Sequence, residues 1–91
     1  MEKIRVRIRF YGQVQGVGFR YTASHQASRY GLTGWVKNEY DGSVTAEVQG
    51  READIDAWTY EMGNGRYIQI DRIEKTARPV DDEERSFRIT Y

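Results

Sequence analysis

Residues 3–31 read KIRVRIRFYGQVQGVGFRYTASHQASRYG, and the pattern of this stretch changes twice. Over residues 3–11, apolar and charged side chains alternate, which is the two-residue period of a half-buried β-strand. Residues 12–18 are rich in glycine and lose that period, whereas residues 20–30 carry alanines at helical spacing. The stretch therefore predicts a strand, a loop and a helix that ends at Gly31.

The rest of the chain predicts a hairpin, a second helix and further strands. Asp41-Gly42 is a strong hairpin signal between two runs of strand-forming residues. The predicted elements are strands at residues 35–40, 44–49, 67–76 and 87–91 and a helix at residues 52–62. This order predicts an α+β fold, the ferredoxin-like βαββαβ sandwich. We expect a four-stranded antiparallel sheet, with room for a short fifth strand, and two helices on one face.

Length, charge and composition narrow the classes of protein. A chain of 91 residues is expected to form one domain over residues 1–91. Fourteen basic residues balance fourteen acidic ones, which argues against a nucleic-acid partner held by bulk positive charge. The chain has no cysteine, which excludes disulfides, thiolate metal sites and cysteine nucleophiles. Without a signal peptide, a membrane-spanning run or an exposed apolar stripe, the sequence predicts a cytoplasmic monomer with no membrane partner.

Three charged features have a plain structural interpretation. The arginines of the first strand, at positions 5, 7 and 9, are expected to form its solvated face. The acidic run at residues 81–84 is expected to be a solvated turn, because a calcium site needs alternating ligands and a glycine. His25 is the only histidine and is expected on the helix surface, so no metal site is predicted.

The glycine-rich loop has a chemical interpretation as well as a structural one. Glycines at 12, 16 and 18 allow positive φ, so that successive N–H groups turn inward beside the positive end of the following helix. Arg20 is placed to make a bidentate contact with phosphate or carboxylate. Neither a Walker lysine nor a dinucleotide fingerprint is present, which argues against ATP and NAD. A plain strand-to-helix turn with a solvated Arg20 is an equal alternative on spacing alone.

Asn38 is the second candidate site residue. It lies near the end of a predicted strand, where its amide can both donate and accept a hydrogen bond and so orient a water molecule. A turn-capping role is the commoner one for such an asparagine. By strand alternation, Lys37 and Glu39 are expected to point to the opposite face, which keeps the carboxylate of Glu39 away from a bound anion.

Two segments, GQVQGVGFR at residues 12–20 and GWVKNEYDGSVTAEVQG at residues 34–50, together resemble the two signature segments of the acylphosphatase family. The resemblance extends over essentially the whole chain. It implies that Asn38 positions the attacking water and that Arg20 anchors the phosphoryl group. It also implies that a backbone loop binds this group through N–H groups of Gln15, Gly16, Val17, Gly18 and Phe19.

The resemblance implies hydrolysis of an acyl phosphate to a carboxylate and inorganic phosphate, without a metal or cofactor. Two alternatives have other functions: a domain that binds an anion without turnover, and an RNA-binding domain of the same topology. The RNA-binding interpretation is weaker, because Gly16 to Phe19 precede a helix, whereas the aromatic RNA motif belongs on a central strand. The acyl group itself is not identified by any pattern in the sequence.

Overall fold

The computed structural model describes residues 2–91, and in this range five strands and two helices follow one another in the predicted order. Their bounds are β1 Ile4–Gln13, α1 Phe19–Tyr30, β2 Thr33–Asn38, β3 Val44–Gly50, α2 Glu52–Met62, β4 Gln69–Arg78 and β5 Phe87–Ile89. The βαββαβ order is therefore confirmed, followed by a short extra strand. The second helix has the predicted bounds. Strand β2 begins two residues earlier than predicted, and β4 begins two residues later.

The strands form one sheet in the order β4-β1-β3-β2-β5. The first four strands are antiparallel neighbours, which confirms the predicted four-stranded sheet. The fifth strand differs from them, because β5 runs parallel to β2 and pairs Ile89 with Val36. This edge strand brings the end of the chain alongside Asn38, the last residue of β2.

The helices pack on one face of the sheet around an aromatic cluster. The Phe10 ring of β1 lies 4.9 Å from the Phe19 ring of α1 and 5.9 Å from the Trp58 ring of α2. The buried Trp58 indole donates a hydrogen bond of 3.0 Å from Nε1 to the Ala23 carbonyl, which joins the two helices. Because Phe19 is buried in this cluster, the first turn of α1 is held close to the end of β1.

The opposite face carries a network of ion pairs, and here two predictions are wrong. Arg5 was expected to be solvated, but it is only 7% exposed. Its Nε donates to Glu47 Oε1 at 2.7 Å and its Nη1 donates to Glu84 Oε1 at 2.8 Å. Glu84 in turn has a buried side chain, although residues 81–84 were predicted to be a solvated turn. The reason is tertiary: Glu47 lies on the central strand β3, and the 81–84 turn folds over the same face.

Neither helix of residues 2–91 is long and apolar enough to cross a membrane.

Candidate active site

The site begins where the glycine-rich loop meets α1. Gly18 is the N-cap of this helix, with φ 77° and ψ 18°, and no side chain caps the helix there. The first turn has no acidic residue, and the first helical hydrogen bond runs from the Thr22 N–H to the Gly18 carbonyl at 2.9 Å. The N–H groups of the first helical turn that precede Thr22 are therefore available to an anion, as is the positive end of the helix dipole.

Asn38 approaches this helix end from the sheet. It is the last residue of β2 and pairs with Val44 of β3. Val36, two residues earlier, is completely buried under the helices, so Asn38 projects from that same side of the sheet. Since strand alternation sets this direction, the end of β2 presents an amide to the cleft at the start of α1.

Arg20 and Asn38 share one cleft of about 270 Å³, below the roughly 300–1,000 Å³ typical of drug-sized ligand sites. The structure thus brings together five of the predicted site residues. They line the cleft with four residues that were not predicted, and the full lining is Val14, Gly16, Gly18, Phe19, Arg20, Tyr21, Asn38, Ile89 and Tyr91.

Gln15 and Val17 belong to the predicted loop, but they do not line the cleft. The Gln15 side chain instead donates to the carbonyl oxygens of Glu39 and Ser43, both at 2.8 Å. Val17 is partly buried against the hydrophobic core. The loop therefore points these two side chains away from the cleft, so any contribution they make to anion binding comes from their backbone.

Four lining residues were missed: Val14, Tyr21, Ile89 and Tyr91. Tyr21 directly follows Arg20, and this adjacency was the available signal. Ile89 and Tyr91 alternate at the end of the chain, but only the parallel pairing of β5 with β2 places them beside Asn38. The guanidinium carbon of Arg20 lies 5.0 Å from the centre of the Tyr91 ring, a cation–π distance.

The charges around the cleft favour an anion. Arg20 takes part in none of the ion pairs formed within residues 2–91, so its guanidinium is free for a ligand. Among residues 2–91, no aspartate or glutamate side chain lines the cleft. Glu39 lies where alternation predicts, in a groove on the opposite sheet face together with Arg9 and Lys37.

The turn after Asn38 is itself well ordered by hydrogen bonds. Asp41 Oδ1 accepts from the Ser43 hydroxyl at 2.6 Å and from the Ser43 N–H at 3.0 Å. These two hydrogen bonds, with Arg9 nearby, lower the pKa of Asp41 from 3.8 to about 2. The ionised carboxylate of Asp41 therefore stabilises the β2–β3 turn at neutral pH.

The other candidates for chemistry lie outside the cleft. His25 is exposed on α1, with its ring 6.2 Å from the Tyr21 ring. In the part of the chain that the structure describes, no three His, Cys, Asp or Glu side chains are grouped so as to hold a metal ion. The cleft thus offers backbone N–H groups, one arginine, one asparagine and two tyrosines as its polar chemistry.

The chain as a whole is similar to known proteins. The sequence model of acylphosphatases matches residues 6–89. The chain belongs to the acylphosphatase family. It is 44% identical over 89 residues to an acylphosphatase from Geobacillus kaustophilus, an alignment that spans 96% of this chain and 94% of the relative. It is also 41% identical over 88 residues to an acylphosphatase from Clostridium acetobutylicum, with 96% and 97% of the two chains covered.

A solved acylphosphatase structure has the same fold. The acylphosphatase from Bacillus subtilis superposes with a TM-score of 0.89 at 34% identity, over 97% of this chain and 99% of the other. The acylphosphatase-like fold and activity predicted from the two signature segments are thus confirmed, and the chain is a hydrolase of acyl phosphates.

Proposed function

We propose that Arg20 and the N–H groups of residues 15–19 hold the phosphoryl group while Asn38 orients the attacking water. One observation carries this assignment: Arg20 and Asn38 meet, from different elements, in a cleft at the uncapped start of α1. An N–H nest, a helix N-terminus and a free guanidinium are each suited to an oxyanion.

The lining residues suit the chemistry of an acyl phosphate. They include no histidine, lysine, aspartate or glutamate side chain, and therefore no side chain that is a general acid or base near neutrality. An acyl phosphate needs none, because its leaving group is a carboxylate that departs without protonation. Phosphoryl transfer has a loose transition state with charge spread over the equatorial oxygens, so catalysis depends mainly on positioning and electrostatic stabilisation.

The reaction then balances without a protein base. The oxygen of water, aimed by the Asn38 amide, attacks phosphorus, and the bond from phosphorus to the acyl oxygen breaks. The carboxylate leaves with the bonding electrons, and the proton of the water passes to a phosphoryl oxygen. Arg20 and the loop N–H groups stabilise the equatorial charge, so we propose that the step needs no metal or cofactor. The products are a carboxylate and inorganic phosphate.

Hydrolysis of benzoyl phosphate by matched variants tests the two roles. We expect Asn38→Ala to lose about 3 kcal/mol of transition-state stabilisation, at least a hundredfold in kcat, while inorganic phosphate still inhibits competitively. Arg20→Ala loses both turnover and phosphate binding. The control variants are Asn64→Ala and Arg29→Ala, which remove the same groups from exposed positions on the surface.

Each other result has a definite meaning. Normal hydrolysis by Asn38→Ala or Arg20→Ala contradicts the assigned role. A wild-type protein that binds phosphate without turnover is instead a non-catalytic anion-binding domain. Full activity after dialysis against EDTA is expected, whereas loss of activity that Mg²⁺ restores contradicts the metal-free step.

The remaining sequence-based expectations stay predictions. They are a single domain over residues 1–91, a monomer, a cytoplasmic location and no nucleic-acid partner, and the zero net charge supports the last of these. Size-exclusion chromatography with light scattering tests the monomer, and cell fractionation tests the location.

A further inference from the structure

The side-chain amide of Gln15 joins the glycine-rich loop to the turn that follows Asn38. Its Nε2 donates one hydrogen bond to the Glu39 carbonyl and another to the Ser43 carbonyl, both 2.8 Å long. A primary amide nitrogen has two hydrogens, so both donors of Gln15 are used. Glu39 is the residue after Asn38, so this clamp is anchored one peptide unit from the proposed water-orienting side chain.

The turn that Gln15 binds is already closed by its own hydrogen bonds. The Ser43 carbonyl accepts from the Glu39 N–H at 2.8 Å, and the Glu39 carbonyl accepts from the Gly42 N–H at 3.3 Å. Each carbonyl therefore accepts one bond within the turn and one from Gln15, which uses both of its lone pairs. Gln15 thus contacts a preformed turn.

The sheet alone does not hold the loop and the turn together. The pairing of β1 with β3 ends at Phe10 and Val44, and the pairing of β2 with β3 ends at Asn38 and Val44. The loop and the turn both project beyond these last pairs. The Gln15 amide bridges the two segments there, at the point where the distance between the loop N–H groups and the Asn38 amide has to be set.

We propose that Gln15 is a positioning residue, whose side-chain clamp fixes Asn38 relative to the phosphoryl-binding loop. This inference rests on the roles proposed above for the loop and for Asn38. The Gln15 side chain does not line the cleft, so it acts through Asn38 and not on the substrate. Because an in-line attack is sensitive to displacements of about 1 Å, loss of the clamp lowers turnover more than binding.

Two variants of Gln15 and one control separate these effects. Gln15→Glu keeps the shape but places a carboxylate against two carbonyl oxygens, and Gln15→Asn keeps the amide but is one methylene too short to reach. Gln13→Glu makes the same charge change at an exposed position two residues earlier. For benzoyl phosphate, we expect both Gln15 variants to lower kcat by about tenfold or more. The inhibition constant of inorganic phosphate should change less than about threefold, and Gln13→Glu should match the wild type.

The outcomes distinguish the clamp from the proposed catalytic roles. Wild-type kcat in both Gln15 variants, while Asn38→Ala is inactive, overturns the clamp and leaves the role of Asn38 intact. Weaker phosphate inhibition at unchanged kcat also overturns it, because Gln15 then acts on the loop alone. An active Asn38→Ala instead removes the proposed function on which the clamp depends. Thermal unfolding of each variant shows whether a loss of kcat is due to unfolding. If Gln15→Glu is unfolded, Gln15→Asn provides the decisive measurement, because it adds no charge.

Discussion

Arg5 Nε lies 2.7 Å from Glu47 Oε1, in a pair of side chains that are 7% and 8% exposed on the sheet face opposite the cleft. Arg7 adds a second contact to the same carboxylate, and Glu84 adds a second carboxylate to Arg5. The acidic turn near the end of the chain therefore pairs with Arg5 through Glu84, whereas Arg7 pairs with Glu47 of β3 and Arg9 with Asp41 of the β2–β3 turn. This network holds the connection between β4 and β5, and β5 in turn carries Ile89 into the cleft.

Glu47→Gln is expected to destabilise the fold, because it removes one of the two carboxylates that pair with the buried Arg5. Breaking one partner of a buried ion pair costs about 3–5 kcal/mol, and the remaining contact with Glu84 places this case at the lower end. Urea unfolding at pH 7 measures the loss. The control is Glu74→Gln, whose exposed pair with Arg72 is worth at most about 1 kcal/mol. Equal losses in the two variants would contradict the network.

Protonation of Glu47 and Asp41 is expected to lower the free energy of unfolding in acid. Burial opposes ionisation of Glu47, but hydrogen bonds from Arg5 and Arg7 outweigh it and lower its pKa from 4.5. The pKa of Asp41 is lowered to about 2, chiefly by its hydrogen bonds with Ser43. A carboxyl with a lower pKa in the folded state contributes stability above its unfolded pKa and loses it as the pH falls toward the folded value. The free energy of unfolding should therefore decrease from about pH 4.5 to about pH 2.

Urea unfolding at several pH values in that window checks this dependence. Asp41→Asn removes one of the two carboxyls, so its stability should decline less steeply between about pH 4 and pH 2 than that of the wild type. Identical slopes for the two proteins would show that Asp41 does not contribute.

Gly18→Ala is expected to weaken both folding and phosphate binding. Gly18 has φ 77°, and an added Cβ would meet no atom within 4 Å, so the cost is that of the left-handed backbone alone. That cost is about 1–2 kcal/mol for a residue with a side chain. The control is Gly63→Ala, because Gly63 has φ −77° and accepts alanine without strain. Thermal unfolding and phosphate inhibition measure the two effects, and a Gly18→Ala protein as stable as Gly63→Ala would contradict the requirement.

Tyr91→Ala is expected to raise KM for benzoyl phosphate by roughly two- to fivefold, because an exposed cation–π contact is worth about 0.5–1 kcal/mol. The Arg20 guanidinium lies 5.0 Å from the Tyr91 ring, and the ring restricts where this free cation points. Tyr91→Phe keeps the ring and should leave KM unchanged. An equal rise in KM for both variants would assign the effect to the hydroxyl instead.

Much of the fold was predictable because its signals are local. Alternation identified β1, Asp41-Gly42 identified the β2–β3 hairpin, and helical spacing placed α2 at Glu52–Met62. The same alternation separated the two faces of β1 but did not show what covers each face. Arg5 was therefore predicted to be solvated, because its partners Glu47 and Glu84 lie 42 and 79 residues away in the chain.

The candidate site also combines residues that the sequence revealed with residues that only the folded structure brings together. The loop and Arg20 are adjacent in the chain, and Asn38 was found through the second signature segment, so motif and resemblance sufficed for them. Ile89 and Tyr91 were missed because nothing local indicates that β5 lies parallel to β2. The side chain of Gln15 was missed for a related reason, because its two acceptors become neighbours only when the turn closes.

The sequence by itself determined the order of the elements, the family, and the polar groups available for chemistry. The order of the elements follows from side-chain periodicity and from glycine's access to positive φ, both of which depend only on near neighbours in the chain. The family follows from the resemblance carried by residues 12–20 and 34–50. The tertiary structure alone decided which charges are buried and which residues enclose the cleft. It also decided that Gln15 contacts the turn after Asn38. These features depend on strand register and on burial, which arise only when distant segments pack together.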